Sequence, residues 1–255
     1  MLNLIHGDCL EVMDKLINEN IKIDNIITSP PYNKAGYLGK IMTPSSKDSW
    51  KNRRNIDYDG DPMNDFMDEN KYQEWQINFL NKCYEILNDD GSVFYNHKIR
   101  VANHKASHPI EWILKSKLIF RQQITWDRKA SPTVAPIRYL PNTELIFWLT
   151  KKQIQPKFNR QKDLKHKGEV WDIQPSKGEP HPATFPIELV ENILPNLDKN
   201  CLVLDPFMGI GTTGLACKKH NINFIGIEKS ETYFNMATAR INNYNVVEQK
   251  QESML

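Results

Sequence analysis

Ser29-Pro30-Pro31-Tyr32 sets a hydroxyl, a rigid backbone and a phenol side by side at the end of a β-branched run, Lys22 to Thr28 (KIDNIIT). Two consecutive prolines cannot continue a central strand, so the strand stops there. Each proline ring fixes φ and biases the residue before it away from the helical region, which points the Pro30 carbonyl in a set direction. This combination suits a planar ligand bearing an amino group, whose hydrogens would reach Ser29 Oγ and the Pro30 carbonyl while its ring stacks on Tyr32. A proline turn beside a buried tyrosine would explain the prolines, but not the adjacency of all four residues.

A second chemical signal lies at Val203 to Thr213 (VLDPFMGIGTT), where a buried run meets a helix through a glycine turn. The run delivers Asp205 to the carboxyl edge of a sheet. Gly209 and Gly211 let the backbone turn sharply and approach a ligand, and Thr212 stands near a helix N-terminus with free N–H groups. Seventeen residues after Gly211, the run Phe224 to Ile227 ends in Glu228, placed to accept hydrogen bonds from ribose hydroxyls. A GxG alone is weak, since glycines close many corners for packing reasons; Glu228 favours a nucleoside ligand. The third glycine of the dinucleotide fingerprint is missing and the Asp205-Pro206-Phe207 lead-in is foreign to it, which disfavours a nicotinamide cofactor.

These loops need strands and helices to hold them. Lys71 to Leu87 places Trp75, Phe79, Cys83 and Leu87 at helical spacing, and Asn88 to Gly91 reads as a turn into the strand Gly91 to Tyr95. Pro109 to Leu118 reads as helix, then Phe120 to Trp126 and Thr143 to Thr150 as strands. Phe185 to Leu194 reads as helix, Cys201 to Leu204 as strand, Thr212 to Lys219 as helix, Phe224 to Ile227 as strand and Thr232 to Tyr244 as helix. Strands alternating with helices predict a mostly parallel sheet covered on both faces. Two stretches break the pattern: the long polar segment Asn33 to Asn70, and Lys151 to Lys167, with seven Lys or Arg against one Asp. Either could touch phosphate, although a solvated face is the commoner use of such runs.

The 255 residues, 40% apolar and 25% charged, suit one globular unit with a full core and exclude a disordered or fibrous chain. Cys9, Cys83, Cys201 and Cys217 form no CxxC pair, against a structural zinc or a disulfide scaffold. His97, His104 and His108 lack a carboxylate or Cys partner at metal spacing, so no metal is expected. No apolar run nears the roughly 20 residues of a membrane helix, and the first residues lack the layout of a secretory signal, so a cytoplasmic protein is expected. The net charge of +2 means any nucleic-acid contact must be local.

Taken together, the motifs resemble the S-adenosylmethionine-dependent DNA amino-methyltransferases of the permuted β class. There a (D/N/S)PP(Y/F) catalytic motif precedes the recognition part and an FxGxG cofactor motif comes near the C-terminus. Ser29 to Tyr32 matches the first motif and Phe207 to Gly211 the second, in that order. Gly7-Asp8 and His181-Pro182-Ala183-Thr184 match further motifs, and Glu144 stands where the family commonly has His-Glu, with Thr143 replacing the His. The resemblance covers nearly the whole chain. It implies a Rossmann-like class I methyltransferase fold, with a mostly parallel seven-stranded sheet, helices on both faces and circularly permuted motif order.

The resemblance further implies S-adenosylmethionine as cofactor, held by Asp8, Thr28, Thr184, Asp205, Pro206, Phe207, Gly209, Gly211, Thr212 and Glu228. Ser29, Pro30, Pro31 and Tyr32 become the catalytic residues, acting on the amino group of a base flipped out of double-stranded DNA. A Cys nucleophile within Pro-Cys, needed for C5 methylation, is absent from the sequence. In that family Ser at the first motif position leans to cytosine N4 and Asp to adenine N6, so cytosine is slightly favoured; a hydroxyl can serve either. One catalytic domain is expected over 1–255, with a DNA-contacting loop at 34–70 and a small target-recognition region at about 127–180. Phosphate contacts are expected from Lys47, Lys51, Arg53, Arg54, Arg128, Lys129, Lys151 and Lys152. A restriction-modification or phage setting, a cognate endonuclease and a homodimer are in keeping with such enzymes. RNA or protein-glutamine methylation, disfavoured by the motif order, and a non-catalytic nucleic-acid-binding subunit are the competing readings.

Overall fold

A computed structural model describes residues 1–33, 67–102, 105–129, 139–176 and 184–244. In chain order its elements are β1 (Leu2–His6), α1 (Cys9–Asn18), β2 (Ile23–Thr28), α2 (Glu69–Ile86), β3 (Leu87–His97), β4 (Arg100–Ala102) and β5 (Lys105–Ser107). Then follow α3 (Ile110–Ile113), β6 (Ile119–Asp127), β7 (Thr143–Thr150), β8 (Val170–Asp172), α4 (Ile187–Glu191), β9 (Leu202–Asp205), α5 (Thr212–Lys219), β10 (Asn223–Glu228) and α6 (Glu231–Asn242), with a 3₁₀ turn at Leu194–Asn196. Eight strands form one sheet in the order β1-β10-β9-β2-β3-β7-β6-β8, while β4 and β5 make a separate antiparallel ribbon. The expected seven strands are thus eight, because β8 adds a short parallel edge beside β6. Among the described strands of this sheet, only β7 runs against its neighbours.

Alternation along the strands feeds two cores, one on each face of the sheet. Ile26 of β2, Val93 and Tyr95 of β3 and Leu204 of β9 join a cluster with α1, α2 and α3. Their neighbours Ile27, Phe94 and Val203 join a second cluster with α4, α5 and Ala237 of α6. The central strands are therefore apolar on both sides, the usual consequence of helices on both faces.

Several boundaries differ from the sequence reading for identifiable reasons. Asn88 to Gly91 is no turn between elements but a bulge inside β3: Leu87 pairs with Ile23 and Ser92 with Asn25, leaving those four residues opposite Asp24 alone. The Asn88 amide donates to Asp24 Oδ1 at 2.8 Å, and a side chain at Gly91 would meet the Asp24 carbonyl at 2.9 Å. The helix expected over Pro109 to Leu118 is shortened to α3. Phe185 to Leu194 becomes α4 followed by the 3₁₀ turn, which has Pro195 within it. β1, β8 and the β4–β5 ribbon are further elements that the pattern did not announce. No helix among the described residues is long and apolar enough to cross a membrane.

Candidate active site

The parallel strands end together, and so do their loops. Gly7-Asp8 follows β1, Ser29 to Tyr32 follows β2, Asn96 and His97 end β3, Asp205 ends β9 and Glu228 ends β10. Because β7 runs the other way, its first residues, Thr143 and Glu144, arrive at the same edge beside Asp127 and Trp126. This is the edge where open α/β sheets bind ligands.

One hydrogen bond ties the two sequence motifs together: Thr28 Oγ1 donates to Asp205 Oδ1 at 2.8 Å. Asp205 also accepts from Thr213 Oγ1 at 2.6 Å and from the Phe207 backbone N–H at 3.1 Å. Burial nevertheless dominates and pushes its carboxyl up to about 6, against the three donors that favour the ionised form. Asp205 is thus the internal brace of the glycine turn. Pro206 is buried, and Phe207 packs edge-on against Phe79 at 5.0 Å and near Trp75 at 5.8 Å.

In the turn itself Gly209 has φ +52° and Gly211 φ +79°, both in the region where a side chain is strained. Their surroundings differ. A Cβ at Gly211 would lie 2.9 Å from Ile241 Cδ1, whereas one at Gly209 would meet nothing within 4 Å. Gly209 therefore borders open space. Its N–H donates to Glu228 Oε2 at 2.8 Å, and the Ser230 N–H donates to Glu228 Oε1 at 2.9 Å. The Lys229 backbone N–H is a third donor to this carboxylate, whose two oxygens together offer about four acceptor sites. Burial lifts the Glu228 carboxyl above the ordinary range. An open glycine cradle beside such an acidic residue fits the nucleoside end of S-adenosylmethionine. Asp8, half-buried, caps α1 by accepting from the Leu10 N–H at 3.0 Å and lies 3.7 Å from Lys229 Nζ. The Thr212 hydroxyl accepts from Arg240 at 3.3 Å. Thr184 precedes α4, and its motif neighbours 181–183 fall outside the described residues.

The proline loop is held from beneath. Tyr72 of α2 donates its hydroxyl to the Pro31 carbonyl at 2.7 Å, with Gln76 Nε2 at 3.4 Å from the same oxygen. The Tyr72 oxygen also lies 2.7 Å from His97 Nε2. Asn33, at φ +52°, clasps Met67 by a reciprocal pair of hydrogen bonds, Met67 N to Oδ1 and Nδ2 to the Met67 carbonyl. The Pro30 carbonyl accepts no hydrogen bond among the described residues. Tyr32 turns inward, 6% exposed, with its ring 4.5 Å from that of His97. Its hydroxyl lies 2.7 Å from Ser29 Oγ and donates toward Asn96 Oδ1 at 2.8 Å and Glu144 Oε2 at 3.2 Å. Asn96, Tyr72, Gln76 and His97 carry no motif signature; their common signal is that buried polar side chains at a strand end need partners.

The basic residues divide between the two edges. Arg128 Nη1 donates to Glu144 Oε1 at 2.8 Å, and its guanidinium lies over the Trp126 ring. Lys129 lies 2.9 Å from Asp127 and 3.3 Å from Asp172. Both stand at the edge that carries Ser29. Lys151 and Lys152 follow β7 and so stand at the opposite edge, 3.7 and 2.5 Å from Asp89. Lys47, Lys51, Arg53 and Arg54 lie outside the described residues.

A family model described as DNA methylase matches residues 23–239. The chain is 26% identical to the Type II methyltransferase M.HinfI of Haemophilus influenzae, over 93% of this chain and 67% of that protein. It is 28% identical to the Type II methyltransferase M.HpaI of Haemophilus parainfluenzae, over 93% of this chain and 73% of that protein. Among solved structures it superimposes on the M1.HpyAVI–SAM complex with a TM-score of 0.64, 26% identity and coverage of 95% and 100% of the two chains. The cytosine-N4-specific PvuII DNA methyltransferase shares the fold at a TM-score of 0.71, with 20% identity and coverage of 99% and 90%.

Proposed function

The chain belongs to the DNA methylase family whose members methylate N6 or N4 amino groups, and from that premise we propose how its residues carry out the transfer. It is an S-adenosylmethionine-dependent DNA amino-methyltransferase. The single observation that carries the assignment of residues is the Thr28–Asp205 hydrogen bond, which clamps Ser29 to Tyr32 beside the glycine cradle.

The exocyclic amino nitrogen of a base is a poor nucleophile because its lone pair is delocalised into the ring. In this reading Ser29 Oγ and the Pro30 carbonyl accept its two hydrogens and so hold the nitrogen pyramidal, with its lone pair localised. Tyr72 and Gln76 hold the Pro31 carbonyl and thereby fix the loop that presents these acceptors. Tyr32 walls the base pocket. Glu228 and the backbone around Gly209 and Gly211, with Asp8, Thr28, Thr184, Pro206, Phe207 and Thr212 around them, form the cofactor cradle, braced by Asp205. The cofactor supplies a sulfonium-activated methyl group. Arg128 and Lys129 are the basic residues whose edge suits contact with DNA flanking a flipped base, within a recognition region at about 127–180.

Cytosine N4 is the target we favour, on Ser29 at the first motif position; adenine N6 is the alternative. We extend the reading to a cytoplasmic restriction-modification setting with a cognate endonuclease and a homodimeric enzyme, and to the permuted β class, supported by the order of the two motifs along the chain. The test is transfer of label from S-adenosylmethionine to duplex DNA, followed by single-molecule mapping of modified bases in a methylation-free host. Activity in the wild type and its loss in Pro31→Ala and Tyr32→Ala are expected; a double variant that still methylates would overturn these catalytic assignments.

A further inference from the structure

Resting on that reading, we propose that Glu144 and Asn96 are positioning residues that act through Tyr32 to make the Ser29 hydroxyl an acceptor facing the target amino group.

The inference follows from counting protons along one hydrogen-bonded chain. The Arg128 guanidinium can only donate, and its Nη1 lies 2.8 Å from Glu144 Oε1. The paired Glu144 carboxylate can only accept, and its Oε2 lies 3.2 Å from the Tyr32 hydroxyl. Asn96 donates its Nδ2 to the Leu145 carbonyl at 3.2 Å, which turns its Oδ1 toward the same hydroxyl at 2.8 Å. Tyr32 has one proton, and both of these neighbours demand it. Ser29 Oγ, 2.7 Å from the phenol oxygen, must then donate its own proton to Tyr32. What Ser29 presents outward is lone pairs alone.

An exocyclic amine offers N–H groups to those lone pairs, whereas a carbonyl in the same place would oppose them. The relay thereby gives a neutral serine the acceptor polarity that an aspartate would have by charge. It also predicts a preference for an amino base over its deaminated counterpart, uracil for cytosine or hypoxanthine for adenine. Arg128 directly follows β6 and Glu144 is the second residue of β7, so the relay starts where the proposed recognition region joins the sheet.

The test compares binding, in the presence of S-adenosylhomocysteine, of duplexes carrying the mapped target base or its deaminated form, each set opposite an abasic site so that neither base is paired before flipping. Wild-type protein is expected to favour the amino duplex by about tenfold, the worth of one forfeited hydrogen bond. Tyr32→Phe keeps the ring but frees the Ser29 proton, and should bring the ratio to within about threefold of unity. Glu144→Gln places an amide N–H against Tyr32 in competition with Ser29, and should lower kcat by about tenfold while KM for DNA stays within about threefold. Thermal melting and cofactor affinity confirm that each variant is folded. Unchanged discrimination and kcat in both folded variants would overturn the relay. A wild-type protein that transfers no methyl to DNA would instead overturn the reading on which it rests.

Discussion

The two glycines of the proposed cofactor turn make the same substitution give opposite phenotypes. In Gly211→Ala the new methyl would sit 2.9 Å from Ile241 Cδ1, 3.0 Å from Ala237 Cβ and 3.3 Å from Ala237 Cα, at φ +79°. Left-handed strain for a non-glycine residue costs about 1–2 kcal/mol, and forcing a methyl into a filled interface about 1–3 kcal/mol more. A loss of roughly 3 kcal/mol, or about 6–12 °C in Tm for a chain of this length, is expected. In Gly209→Ala the backbone strain is similar, but the methyl enters open space, so the stability cost is about 1 kcal/mol. There the methyl occupies the cradle beside Glu228, and affinity for S-adenosylmethionine should fall by at least about tenfold. Calorimetric titration with the cofactor and thermal melting of both variants separate the two effects. Gly209→Ala that binds cofactor like the wild type, or Gly211→Ala that melts within about 2 °C of Gly209→Ala, would refute the reasoning.

Further outcomes follow from buried charge. The Asp205 carboxyl is raised to about 6 when folded, against about 3.9 unfolded, so between those values the folded state holds a proton that the unfolded state has released. Stability should therefore fall as pH rises from about 4 to about 6, by roughly 3 kcal/mol from this residue, and then level off. Urea denaturation at several pH values should show that slope reduced in Asp205→Asn; an identical slope would count against it. The Arg100 guanidinium, buried among Tyr72 and Trp112, forms a bidentate pair with Glu69 at 2.7 and 2.8 Å. Glu69→Ala removes this bidentate partner of a buried cation and should cost about 2 kcal/mol, the carboxylate being partly exposed. Removing the exposed Lys117–Glu85 pair by Glu85→Ala should cost under about 1 kcal/mol in the same denaturation assay.

Most of the framework was legible because helices and buried strands announce themselves by period. β2, β7, β9 and β10 are found within about a residue of where their apolar runs begin and end. Elements with one wet side were not legible. β1 is an edge strand with Leu2 exposed, and β8 has a single buried residue, Trp171, so neither carries a run of apolar residues. The Asn88 to Gly91 signal marks bent backbone but no boundary, because only the partner strand, through Asp24, shows that the chain rejoins the same ladder. At the site, proline and glycine motifs are readable since backbone geometry demands those residue types. The polar side chains beneath them are not: Asn96, Tyr72 and Gln76 owe their roles to partners 41 to 64 residues away in sequence.

The pairing of Asp127 with Thr143, last and first residues of adjacent antiparallel strands, makes the gap between them a hairpin mouth that opens at the catalytic edge. Closing a loop across a fixed mouth costs only about 0.6 kcal/mol more for each doubling of its length. Sequence can therefore be added, removed or exchanged between Lys129 and Thr143 at little thermodynamic expense, while the eight-strand sheet keeps its register and Arg128 keeps its pair with Glu144. On the proposed function, segments grafted there would emerge beside Ser29 to Tyr32 while the Arg128–Glu144 pair stays in place, so that specificity and catalysis could be varied separately in one chain.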